Sequence, residues 1–231
     1  MAQHILEGNP RVEISLRRSA RARRISLRVS RLDGRVTLTL PKGVRDREGL
    51  DFAREKADWL RAQLADRKAE VLATHGADIP LLGRLHRIAP AATGRSPRVE
   101  GQQLLVPGAP DRVPARLGGY IKERARAELA AASDRYAAAL GRSYSSLTLR
   151  DTRSRWGSCS SAGGLMYSWR LVMAPRAVMD YVAAHEVAHL AEMNHSQAFW
   201  ETVEQLYGDT RAPRRWLREE GGDLHRYRFK A

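Results

Sequence analysis

This sequence predicts an α+β fold, with N-terminal antiparallel strands and a helical C-terminal core that carries a short sheet. Three observations lead there. Apolar and polar residues alternate over residues 11–40, the pattern of half-buried strands. Apolar residues recur at helical spacing over 47–72 and again over 111–141. A further helix, from Pro175 to about Met193, is apolar nearly all round (Val178, Met179, Tyr181, Val182, Ala183, Val187, Leu190), which marks a buried helix. On this reading the 231 residues divide into a mainly β region with one long helix, 1–110, and a core over 111–231.

Each element has its own signal. Val12, Ile14 and Leu16 alternate with polar residues, as do Ile25, Leu27 and Val29, and then Val36, Leu38 and Leu40. Asp33-Gly34 is a hairpin signal, and Pro41-Lys42-Gly43 ends the meander. Leu50, Ala53, Ala57, Leu60 and Leu64 form the stripe of the first helix, with Trp59 packing beside it. Gly and Pro punctuate residues 74–110, predicting short strands and loops in which His75 and His86 are structural or exposed rather than catalytic. Leu117, Ile121, Ala125, Leu129, Ala132, Tyr136 and Leu140 share one face of a long helix, opened at Asp111 and Pro114 and closed at Gly141. Leu147 to Leu149 predicts a short strand. Leu165, Tyr167, Trp169 and Leu171 alternate with their neighbours and predict a strand over 165–172. After His195 the pattern predicts a helix to about Tyr207, a break at Gly208-Asp209, a short helix from about Pro213 to Glu220, and a loosely ordered tail.

The buried helix carries His185-Glu186-Val187-Ala188-His189. Residues four apart share a helix face, so His185 and His189 can offer two imidazoles to one ion. Glu186 stands near the ion's open side as a general base. A catalytic zinc takes three protein ligands and keeps one position open; His195 is the third candidate. At about 100° per residue an unbroken helix would point residue 195 away, so the chain must turn between His189 and His195. Metallopeptidases with this five-residue gap have glycine at its third position, where this chain has Glu192. The turn is therefore expected at Asn194 in the left-handed conformation, with Ser196 capping the next helix, whose apolar positions are Phe199, Trp200, Val203 and Leu206.

Composition narrows the classes. No stretch approaches the roughly 18 apolar residues of a membrane span, and the first residues have no secretory-signal pattern. One cysteine, Cys159, excludes an intramolecular disulfide and suits a cytoplasmic setting; a buried, inert thiol is its expected role. The net charge of +14 suggests polyanion affinity, for nucleic acid or phosphorylated small molecules, or else an arginine-rich solvated surface. Arg17, Arg18, Arg21, Arg23, Arg24, Arg28 and Arg31 give the N-terminal strands a basic face.

Several stretches together resemble a known family: Arg153-Ser154-Arg155-Trp156-Gly157-Ser158-Cys159, Trp169-Arg170-Leu171, Ala174-Pro175, Asp180-Tyr181-Val182, His185-Glu186 with His189-Leu190, and Asn194-His195-Ser196 with Phe199-Trp200. In that order they resemble the YgjP-like metallopeptidase-domain family, related to the SprT-like and WLM zinc peptidases. The resemblance extends upstream to the Arg17–Ser30 strands and the helix with Glu55, Lys56 and Trp59. It implies a zincin-like catalytic core with one Zn2+ held by His185, His189 and His195 and with Glu186 as base. It leaves three substrate readings. A metallopeptidase needs an edge strand for an extended peptide, expected at 165–172, and an oxyanion partner, Arg155 or Tyr167. A nucleoside triphosphate pyrophosphohydrolase acting on UTP, an activity also attached to the family, needs cations, which Arg153, Arg155 and Arg170 offer. A DNA-associated protease or nucleic-acid-binding protein would use the positive charge.

Overall fold

In the computed structural model, which describes residues 2–30, 34–66 and 68–230, the chain divides into two units, residues 1–69 and 70–231. In the first, β1 (Ala2–Leu6), β2 (Val12–Arg18), β3 (Ser26–Val29) and β4 (Val36–Leu40) form a sheet in the order β1-β2-β4-β3. β3 with β4 pairs antiparallel as expected, β1, a strand the sequence pattern did not predict, pairs antiparallel with β2, and β2 and β4 pair parallel, Ile14 facing Val36. Burial explains the order. Val36, Leu38 and Leu40 are all buried, so β4 takes a central place. β3, with Ser26 and Arg28 exposed, takes the edge, where charge deters further pairing. Asp33 of the expected hairpin lies outside the described residues.

α1 (Asp46–Glu55) and α2 (Ala57–Ala65) stand where one helix was expected over 47–72. They meet at Lys56 (φ −94°, ψ 14°), and beyond Ala65 the run 66–70 has only Ala69 to offer a stripe. Ala53 and Leu60 join the strands in the core of this unit, while Trp59 is 45% exposed and packs less than expected. Arg18 donates to the Val44 carbonyl at 2.9 Å and pairs with Asp46, so this arginine of the basic face ties β2 to α1.

The second unit opens with β5 (Val71–Leu72) and a sheet of β6 (Asp78–Leu81), β7 (Arg84–Pro90), β8 (Arg98–Glu100) and β9 (Gln103–Val106) in the order β6-β7-β9-β8. Ile79, Leu81, Ile88, Leu104 and Val106 share one core with Leu117, Ile121 and Leu129 of α3 (Val113–Leu140). Each such side chain contributes about 1.5–3 kcal/mol. That shared core places residues 70–110 with the C-terminal region, so the boundary falls at 69/70 instead of 110/111. His75 and His86 contact the carbonyls of Val106 and Arg84 at 3.1 and 2.8 Å, as structural histidines do.

β10 (Ser146–Arg150), β11 (Gly157–Cys159) and β12 (Gly164–Ser168) form a small sheet in the order β10-β12-β11. β12 is therefore its middle strand, paired parallel to β10 and antiparallel to β11. The edge strand expected at 165–172 is thus no edge, and it stops at Ser168. Trp169–Met173 form a 3₁₀ helix with all five residues buried. α4 (Arg176–Ala188), α5 (Gln197–Tyr207) and α6 (Arg211–Glu219) follow. Among the described residues no helix is long and apolar enough to cross a membrane.

The tail is packed, not loose. Leu224 and Tyr227 are 3% and 8% exposed, and β13 (Tyr227–Arg228) pairs parallel with β5. Its anchor is Arg170. The buried guanidinium donates from Nε and Nη2 to Asp151 at 2.6 and 3.1 Å, and from Nη1 to the carbonyls of Leu224 and Tyr227 at 2.9 and 3.0 Å. It also lies 4.4 Å from the Trp169 ring. Burial works to raise the Asp151 carboxyl, but the hydrogen bonds and charge of Arg170 outweigh it and hold the group below the usual carboxylate range. Arg170, a substrate candidate from sequence, is occupied by the fold. Replacing Arg170 with Ala strands two carbonyls and a carboxylate. The expected loss is about 2–4 kcal/mol of stability in urea denaturation; a loss below about 0.5 kcal/mol, the size of an ordinary surface change, would show that the tail does not depend on this contact.

Candidate metal centre

α4 delivers His185 and Glu186 on its last turn, and His189 is its C-terminal cap (φ −64°, ψ −15°). The helix ends there, not at Met193, because the N–H groups of Leu190 and Ala191 bond three residues back, to Val187 and Ala188, which tightens the turn. Asn194 does not adopt the expected left-handed conformation; among the described residues Leu82 is the non-glycine that does. Instead the Asn194 Oδ1 accepts the Ser196 N–H at 3.1 Å, a local turn of the Asx kind. Ser196 Oγ accepts the Phe199 N–H at 3.4 Å, the N-cap its position predicted. The reversal returns His195 to His185.

The candidate ligand atoms of His185, His189 and His195 lie within 4.8 Å of one another. The Nε2 atoms of His185 and His195 are 3.2 Å apart, against about 3.3 Å for two nitrogens at zinc-ligand distance around a tetrahedral ion. His189 Nδ1 lies 2.9 Å from the Glu192 carbonyl. A carbonyl can only accept, so Nδ1 carries the proton and the Nε2 lone pair is left for an ion. His185 Nδ1 is buried without a hydrogen-bond partner, and that ring is held by packing. The fully buried Phe199 touches all three imidazoles, stacked on His189 at 4.4 Å and edge-on to His185 and His195 at 4.9 and 4.8 Å. Sequence reasoning took Phe199 for an ordinary core position; its place one helical turn after His195 was the available signal.

Burial sets the charges. It pushes the Glu186 carboxyl up to about 7, with the charge of Arg155 opposing in part. It pushes His185 down to about 4, aided by His189, His195 and Arg214, and it lowers His189 as well. Neutral imidazoles are the form that ligates a metal. Glu186 also lies hard against β11. A Cβ placed on Gly157 would stand 2.5 Å from both Cγ and Oε1 of Glu186, so only glycine leaves the carboxylate room. The sequence held that signal in a glycine at a strand position, where close approach is a standing reason for one.

The remaining candidates separate. Arg155 is exposed, and its charge acts on Glu186. Arg153 is also exposed, but its charge acts on Asp151 and His225, on the side held by Arg170. Tyr167 is fully buried and its hydroxyl bonds with Ser133 Oγ at 3.0 Å. Burial raises its pKa far above the ordinary phenol value, and it is core rather than an oxyanion or substrate contact. Cys159 is half-buried, its Sγ 3.4 Å from the Ser160 carbonyl. Burial, and then the Glu186 charge, raise its pKa, which keeps it a thiol at neutral pH. Arg214, unforeseen from sequence, lies over the Trp200 ring at 4.6 Å.

The model of the family described as YgjP-like, metallopeptidase domain, matches residues 23–220. The crystal structure of the metallopeptidase zymogen of Pyrococcus abyssi abylysin aligns with 21% identity over 40% of this chain and 95% of that chain, at a TM-score of 0.36. No curated protein matches.

Two outcomes follow from the geometry. Gly157→Ala should lower hydrolytic activity by about a hundredfold or more, since small misplacements of a catalytic group have that effect, while far-ultraviolet circular dichroism stays native. Activity within threefold of wild type would show that Glu186 is not held by β11. The second outcome concerns the metal-free protein. Glu186 has a raised folded pKa, so its contribution is present below the unfolded value near 4.5 and is lost as pH rises through about 7. His185 has a depressed folded pKa, so its contribution is present above 6.5 and is lost as pH falls through about 4. Between about 4.5 and 6.5 the two oppose each other. Glu186→Gln removes one side, so stability should rise more steeply with pH there, by about one proton, or roughly 1.4 kcal/mol per pH unit. Parallel pH profiles for the two proteins in urea denaturation would refute this.

Proposed function

Since this chain belongs to the YgjP-like metallopeptidase-domain family, and with it to the metallopeptidase-type hydrolases, we propose that its ion is zinc and its substrate a peptide or protein chain. Three imidazoles, one with its tautomer set by the Glu192 carbonyl, suit a borderline cation with an open position. When bound, zinc supplies a Lewis acid that polarises a carbonyl and lowers the pKa of water.

The chain's own residues do the rest. Glu186, next to His185 and held against Gly157, takes a proton from water and returns it to the leaving amine. Arg155, whose charge reaches Glu186, is placed to offset negative charge on the attacked carbonyl oxygen. The observation that carries the peptide reading is β11. It is an edge strand of its sheet and its first residue, Gly157, touches Glu186. An extended peptide added alongside it by main-chain hydrogen bonds would run past the base. The triphosphate reading has less support, because Arg170 is occupied by Asp151 and the tail.

The test is hydrolysis of casein and of UTP by the zinc-loaded enzyme, wild type beside Glu186→Gln. Casein cleavage that falls by about a hundredfold or more in the variant, with no pyrophosphate from UTP, is the expected result. Pyrophosphate release that depends on Glu186, without casein cleavage, would replace the peptidase by a nucleotide hydrolase.

A further inference from the structure

We propose that the second unit carries an anion-binding pocket separate from the metal centre, for a small organic anion with a phosphate or carboxylate head and an apolar body. The pocket has a volume of about 500 Å³, within the range of small-molecule sites. Four elements converge on it: the β6–β7 turn with Leu82 and Arg84, β8 with Val99, α3 with Tyr120 and Arg124, and α4 with Arg176. Arg176 is the first residue of α4, nine positions before His185, which is about 14 Å along a helix.

Charge and shape together define the ligand. Three arginines line the cavity and, among the described residues, no acidic one does. Glu128 bridges two of them, Arg124 at 2.8 Å and Arg176 at 2.9 Å, which leaves the group with excess positive charge. Guanidinium groups match the planar, paired acceptors of carboxylate and phosphate. Leu82, Val99 and Tyr120 supply an apolar wall, and Val99 is 39% exposed; that surface favours an anion with an apolar body over a bare inorganic one.

The wall is pinned. Leu82 has φ 49° and Gly83 φ 78°. The Leu82 N–H donates to the Val172 carbonyl at 2.7 Å, and a Cβ on Gly83 would stand 2.9 Å from Pro175 Cα. A bulky residue is costly in the left-handed region, and here it holds the turn on the start of α4. His86 Nδ1, 2.8 Å from the Arg84 carbonyl, steadies the strand that bears Arg84. A preformed wall lowers the ordering cost of binding.

Isothermal titration of the zinc-loaded full chain with phenyl phosphate, benzoate and inorganic phosphate tests this. Phenyl phosphate or benzoate should bind, the tighter of the two identifying the head group, and inorganic phosphate should bind at least about fivefold more weakly. Arg84→Ala and Val99→Asp, both at exposed positions, should each weaken binding about tenfold or more, whereas Glu186→Gln should leave it unchanged. No binding of either aromatic anion would overturn the proposal. So would binding indifferent to both pocket variants, or binding lost in Glu186→Gln, which would move the anion to the metal centre. Equal affinity for inorganic phosphate would overturn the apolar part of the assignment.

Discussion

The Arg170 guanidinium is buried, always charged, and bonded in four directions. Taking a charge out of water is tolerable only when its donors are satisfied, and here the satisfaction comes from three distant places: Asp151 after β10, and the carbonyls of Leu224 and Tyr227. The loop from Asp151 to Trp156 leads directly into Gly157, so this contact reaches the metal centre through one short piece of backbone. Trp156 completes the support with its ring 5.4 Å from that of His225. What sequence alone offered as a phosphate contact is the post on which β11, the edge strand against Glu186, hangs.

The metal centre answers a related problem in the opposite way. Burying a glutamate among three histidines would be costly if all were charged. Burial instead shifts Glu186 upward and His185 and His189 downward, these three toward their neutral forms. Burial therefore works against charge on these three groups at the cluster. A cation brought to the imidazoles would favour ionised Glu186 again. Phe199 makes this possible, because one fully buried ring against all three histidines replaces hydrogen bonds that His185 lacks.

Much of this was legible in the residues. The histidine and glutamate spacing names the cluster, and the need for a turn before His195 follows from helix geometry. The helical stripes of α3 and α5 were readable because many residues agree on one period. What escaped depends on contacts between remote segments. The turn at 190–196 uses main-chain bonds and the Asn194 side chain, where propensity suggested a left-handed residue. Trp169 and Leu171 alternate like a strand, yet every residue from Trp169 to Met173 is buried, and alternation alone cannot tell one buried face from burial on all sides. The boundary at 69/70 was hidden because short strands over 74–110 do not show whose core they fill. Arg170 and Tyr167 looked chemical because their residue types are, and only their partners Asp151 and Ser133 reveal their work.

The pairing of β13 with β5 joins residues 71–72 to 227–228, and this has a consequence for how the protein is made. A ribosome adding about 5–20 residues per second reaches Tyr227 roughly 8–30 seconds after Val71. Throughout that interval the emerging chain has β5 without its partner, and once Arg170 is made it waits without two of its acceptors. All three histidines and Glu186 are synthesised before those acceptors arrive. The nascent polypeptide thus holds the three histidines and Glu186 before it holds the segment that Arg170 ties down, and that later segment completes the frame around them.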